Sequence, residues 1–170
     1  MTYEDICEVN AEPIPAGLGR RIAALAYDAL LLFGLLFFLS IPVVVSFDVR
    51  YGEPGYLLYL AYIHAITFVF LGWFWVHQGQ TLGMRAWHLH LKPIEGDSMD
   101  WKLSLRRYLA ALLFWVPGWT VTQLADQGGY TLLGLVPLLI DYGWAFTNPR
   151  RLALHDLLSR SRLVIQYPRR

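Results

Sequence analysis

Charge is scarce in this chain: 16% of its 170 residues are Asp, Glu, Lys or Arg, and the formal net charge is +1. That balance excludes a nucleic-acid surface built on excess basic residues and an ordinary soluble domain, in which about a quarter of residues are charged. Cysteine is scarcer still. The single Cys7 has no internal partner and no Cys/His spacing fits zinc, so it reads as a free thiol on a reducing cytosolic tail. The first residues lack the basic start of a secretory signal and carry Glu4, Asp5, Glu8 and Glu12 instead, so no cleaved leader is expected. Also missing are a phosphate loop, an HExxH pair and a nucleophile elbow. Nothing places Ser98 or Ser104 beside His90 as a catalytic set, so neither enzymatic activity nor a cofactor is expected.

What the chain has is apolar sequence, 56% of it hydrophobic. Four runs stand out, approximately 22–45, 56–76, 108–125 and 131–147. About 20 apolar residues span roughly 30 Å of hydrocarbon, so the runs predict an all-α membrane protein, a bundle of four transmembrane helices. The third run is interrupted by Pro117 and Gly118, which suggests a kink; the fourth is shorter still and contains Pro137 and Gly143. Tight connections at 47–55 and 126–130 suit two helical hairpins. The predicted organisation is a cytosolic tail (1–19), a membrane domain (20–166) with a cytosolic linker (77–107), and a basic C-terminus (167–170).

Orientation follows from the basic residues. Two lie in the N-terminal tail, five in the linker and six in the C-terminal segment, leaving only Arg50 of the fourteen for the other side. The positive-inside rule then places both termini and the linker in the cytosol. Tyr51, Tyr56, Tyr59, Trp73, Trp75, Trp101, Tyr108, Trp144 and Tyr167 fall near the expected interfaces, where aromatic rings anchor depth. The terminal Arg169 and Arg170 suit anionic headgroups better than nucleic acid.

Within the linker, 87–92 alternates apolar and polar residues, the period of a half-buried strand. Residues 162–166 form a second β-prone run. A two-stranded pairing of 87–92 with 162–166 would give the bundle a small cytosolic cap. His88 and His90 share a strand face, but too few further ligands accompany them for a metal site.

The costliest residues are the acids inside the runs. At about 1.5 Å per residue, Asp28 lies roughly 10 Å beyond Arg21, and Asp141 lies roughly 10 Å before Asn148. Two intramembrane carboxylates at one depth suggest a shared polar cluster, which needs protonation, a cation or basic partners. Arg21 shares a helix face with Asp28 two turns away. Arg106, Arg107 and Arg151 arrive from the same side as alternative partners. Three readings stay open: an ion-pair network that locks the helices, a cation or proton site, or contact with lipid headgroups or a partner protein. His64, with Thr67 one turn on, reads either as a packing residue or as a proton relay. Thr120, Thr122 and Gln123 suit interhelical hydrogen bonds.

The stretch Gly19-Arg20-Arg21-Ile22-Ala23-Ala24-Leu25-Ala26-Tyr27-Asp28 resembles the opening of the RDD family of bacterial membrane proteins, with Arg21 and Asp28 at the positions of its first arginine and aspartate. Gly79-Gln80-Thr81-Leu82-Gly83-Met84 resembles the family's Gly-Gln-Thr-x-Gly-Lys segment, with Met84 where lysine is common. Arg106-Arg107 resembles the arginine that opens its next helix. The segment 151–161, containing His155 and Asp156, resembles its closing Leu-His-Asp stretch and makes Asp156 the second family aspartate, with Ser161 where threonine is usual. The resemblance implies a multi-pass protein of the bacterial inner membrane that transports ions or small ligands.

The candidate site is therefore Arg21, Asp28, Asp141, Asp156, His155, Arg107 and His64. Transport of a monovalent cation, proton or small ligand by a homo-oligomer is one expectation, with Asp28 and Asp141 binding and Arg21 and Asp156 gating. A non-catalytic membrane scaffold, in which the same residues form a fixed network, is the other. The cap is expected to bring His155 and Asp156 near Arg21 and Arg85.

Overall fold

A computed structural model describes residues 14–96, 98–124, 130–148 and 152–166. The tail with Cys7, residues 125–129 of the expected second connection, Arg150, Arg151 and the basic end 167–170 lie outside the described residues, as do the side chains of Thr122 and Gln123.

Two long apolar helices come first. Helix α1 (Leu18–Phe47) has 30 residues and α2 (Pro54–Gln78) has 25, and both are long and apolar enough to cross a membrane. Helix α1 starts four residues before the first apolar run, so Arg20 and Arg21 sit in its opening turn. Pro54 begins α2, where its missing N–H costs nothing. The two helices are tied in the halves nearest their connection by Tyr59 Oη donating to Ser40 Oγ (3.1 Å) and Tyr62 Oη donating to the Leu39 carbonyl (3.1 Å). Large apolar side chains face outward along both, including Phe33 (70% exposed), Phe38 (73%) and Leu58 (76%). A water-soluble protein rarely leaves so large a contiguous apolar surface bare.

Residues 77–107 are far from a loose linker. Helix α2 ends at Gly79, a left-handed residue (φ +64°) whose N–H donates to the Trp75 carbonyl. A one-turn helix α3 (Leu82–Ala86) follows, capped by Thr81, and then strand β1 (Leu89–Pro93). Helix α4 (Trp101–Leu124) begins seven residues before the third apolar run because Asp100 caps it, accepting from the Leu103 N–H at 2.6 Å.

The fourth run is a broken helix. It is a 3-10 turn (Tyr130–Leu135), then α5 (Val136–Gly143), then a second 3-10 turn (Trp144–Phe146). Pro137, near the start of α5, has no N–H to continue an α ladder from the preceding turn, which accounts for the break. Helix α6 (Leu154–Leu158) and strand β2 (Ser161–Ile165) close the described chain.

Strands β1 and β2 pair antiparallel, with Leu89 opposite Ile165 and Pro93 opposite Ser161. The ladder begins two residues later than the alternation suggested because His88 adopts φ +55°. The pairing extends on the other side of β2: Ala16 N donates to the Leu163 carbonyl (3.1 Å) and Ile165 N to the Ile14 carbonyl (2.9 Å). The lead into α1 therefore lies along β2. Leu89, Leu91 and Leu163 from this cap join Ala16, Ala24, Trp75, Met84, Met99 and Tyr108 in one buried core, which locks the cap onto the helix ends.

Candidate ion and ligand site

Asp156 is fully buried near the start of α6 and collects two guanidinium groups, Arg21 Nη1 at 2.5 Å and Arg107 Nη1 at 2.7 Å. The Ala153 N–H donates to the same carboxylate at 3.2 Å. Each arginine is held further: Arg21 Nε donates to the Ala16 carbonyl (3.1 Å) and Arg107 Nη1 to Ser161 Oγ (2.5 Å), itself bonded to Ser159 Oγ (2.8 Å). Burial alone would raise the Asp156 carboxyl, but Arg107, His155 and Arg21 outweigh it and hold the group well below the ordinary carboxylate range. Arg85 is exposed and takes no part in this cluster.

Asp141, on α5, is clamped by one residue. His155 donates its backbone N–H to Asp141 Oδ1 (2.9 Å) and its Nδ1–H to Oδ2 (2.6 Å). The other ring nitrogen, Nε2, lies 3.3 Å from both Arg107 Nη2 and Asp156 Oδ1. His155 thereby joins the two acids into one network.

Asp28 stands apart from it. Its carboxylate is held by Thr81, whose hydroxyl donates to Oδ2, and by the Gly83 N–H, which donates to Oδ1 at 2.8 Å. Thr81 Oγ1 also accepts the Met84 N–H (3.2 Å), which commits its hydrogen to Asp28. The approach is close enough to demand glycine: a Cβ on Gly83 would sit 2.3 Å from the Ala24 carbonyl oxygen and 2.8 Å from Asp28 Cγ. Gly79 contributes in a similar way, since a Cβ there would lie 2.0 Å from the ring of His90, whose Nδ1 bonds the Gly79 carbonyl (2.7 Å). The segment 79–84 is thus a receptor for the α1 carboxylate. Arg21, on the same helix face as Asp28 but two turns away, does not pair with it; Asp156 and the Ala16 carbonyl take the arginine. The shared Asp28–Asp141 cluster does not form either, since the two acids have no hydrogen-bond partner in common among the described residues.

Between α1, α2 and α4 lies a cavity of about 380 Å³. Arg21, Asp28, His64, Arg107 and His155 line it, whereas Asp141 and Asp156 do not. His64 Nδ1 bonds Tyr108 Oη at 2.9 Å and so couples α2 to α4 across one wall. Among the described residues none of the ion pairs includes Asp28, and no group of three or more His, Cys, Asp or Glu is arranged to hold a metal. Thr81, Gly83, Tyr108 and Ser161 are site residues that the pattern of charges did not reveal. The Gly-Gln-Thr-Leu-Gly stretch was the available signal for the first two.

A family model described as RDD family matches residues 15–160. Comparison with curated proteins and with solved structures gave no match.

Proposed function

This chain belongs to the RDD family, and from that premise we propose a multi-pass membrane protein that moves a monovalent cation, a proton or a small ligand through a site at Asp28. The observation that carries this reading is a cavity that reaches a carboxylate with no basic partner among the described residues. An acid kept within a membrane helix at a cost of several kcal/mol, and stabilised only by neutral donors, suits a transient cationic partner.

In this reading α1 and α2 form the first hairpin. The second is α4 beyond its charged first two turns, followed by the broken helix 130–146. In the same reading the cap and both termini lie in the cytosol of a bacterial cell, with the bundle in the inner membrane; the distribution of basic residues supports that orientation. So small a bundle would work as a homo-oligomer, without enzymatic chemistry.

The scaffold reading draws support from Asp156, whose two arginines leave it no freedom to bind or release anything. We assign that cluster to holding the cap shut and Asp28 to function. The test is cation and proton flux in proteoliposomes containing wild type or Asp28→Asn. Flux in wild type that drops at least tenfold in a correctly folded variant is expected, and equal flux from both would sink the proposal.

A further inference from the structure

Resting on the reading of Asp28 as a cation site, we infer that the occupant of the cavity is an amphipathic organic ammonium ion, a singly charged amine with an apolar body. Its walls argue for the apolar body. They are supplied largely by aliphatic and aromatic side chains, among them Leu32, Ile63, Leu112, Trp75, Tyr108 and Trp115. A space of about 380 Å³ falls in the range that encloses small organic molecules, far larger than a bare alkali ion requires.

The donor set around Asp28 argues against such an ion. A hard cation seeks a shell of oxygen lone pairs. Here the Thr81 hydroxyl turns its hydrogen to the carboxylate and accepts the Met84 N–H, and Gly83 presents another N–H. What the carboxylate has left is its remaining lone pairs, enough for an ammonium group.

The single carboxylate that lines the cavity is Asp28. Arg21 and Arg107, which also line it, are both bonded to Asp156, and the Asp28 carboxylate is held by the Thr81 hydroxyl and the Gly83 N–H. One carboxylate matches one ammonium head.

The experiment is calorimetric titration of the full chain, in nanodiscs of zwitterionic phosphatidylcholine, with tetrapropylammonium and with sodium at matched ionic strength. The expected result is saturable one-site binding of tetrapropylammonium that excess sodium does not displace. Its Kd should rise at least tenfold in Asp28→Asn and again in Ala111→Trp, which fills the cavity while leaving the carboxylate in place. If Asp28→Asn does not fold, the Ala111→Trp comparison decides. Absent binding, or binding equal in wild type and a folded variant, overturns the inference. Asp28-dependent sodium or proton flux without ammonium binding would overturn it while leaving the ion-transport reading intact. Ammonium binding without flux of any tested ion, or of tetrapropylammonium itself, would support the inference and remove transport.

Discussion

Arg21 pairs with Asp156, 135 residues away in sequence, and not with Asp28 on its own helix. The arginine at the head of α1 thus closes the cap, and the aspartate two turns further along the same helix is passed to a different receptor. Removing one partner from a buried ion pair typically costs about 3–5 kcal/mol, because the remaining charge stays buried. Asp156→Asn, which strands two guanidinium groups, should lose stability of that order in equilibrium unfolding of purified protein. Asp28→Asn should lose clearly less, since its partners are neutral. Equal losses would contradict the division of roles between the two acids.

The Asp28 receptor makes a sharper prediction at Thr81. Thr81→Val removes the hydroxyl that bridges Asp28 and Met84, and an unsatisfied buried group costs about 1–3 kcal/mol. Thr81→Ser keeps the hydroxyl and should recover most of that loss in the same unfolding measurement. Gly83→Ala should be at least as damaging as Thr81→Val, because its methyl would run into main-chain carbonyl oxygen.

Acid should unfold the cap through Asp156. Its carboxyl is held below its ordinary 3.8, so the unfolded chain binds more protons than the native one in that interval. The stability it contributes is complete above 3.8 and is lost as pH falls towards the lower native value. The unfolding free energy of wild type should therefore drop more steeply below about pH 4 than that of Asp156→Asn. Parallel curves would show that the carboxylate is not the titrating element.

His90 sets a second, milder pH dependence. Burial, and then the charge of Lys92, push its pKa below the ordinary 6.5, so the native state resists a proton that the unfolded chain accepts. Stability is full above 6.5 and declines as pH falls through the native value. His90→Asn should flatten the change in unfolding free energy between pH 7.5 and pH 5.5, whatever its effect at neutral pH. An unchanged slope would remove His90 from the account.

Topology can be read by single-cysteine labelling in a Cys7→Ser background. With four spans, Glu53→Cys should react with an impermeant maleimide from the periplasmic side only, and Lys102→Cys from the cytosolic side only. A residue introduced at 127 should match Glu53→Cys. Labelling of position 127 from the cytosol would reduce the structure to two spans with the remainder on one face.

The strand pair was legible because alternation along 87–92 and the β-branched run near 164 are local signals. The beginning of α4 was not, because hydropathy marks where a helix could enter lipid, whereas the helix starts at the Asp100 cap two turns earlier. The expected approach of Asp156 to Arg21 is present, whereas the expected grouping of Asp28 with Asp141 is not. Equal depth drew Asp28 and Asp141 together, yet depth leaves rotation about the helix axis free. That rotation directs Asp141 to His155 and Asp28 to Thr81. The Arg21–Asp156 link joins residues too distant for local spacing to connect, and was legible only through the family resemblance and the expected cap.

Strand β2 lies between β1 and residues 14–16, and this has a consequence for biosynthesis. The middle ribbon of the cap is the last of the three to leave the ribosome. Until it arrives, residues 14–16 and β1 have no shared neighbour, and Arg21 and Arg107 wait without the acid that will join them. The cap therefore cannot close until β2 has been made, and its closure joins residues separated by most of the chain. A nascent chain stopped before residue 156 would lack both β2 and the carboxylate that joins Arg21 to Arg107, a recognisable mark of an unfinished molecule.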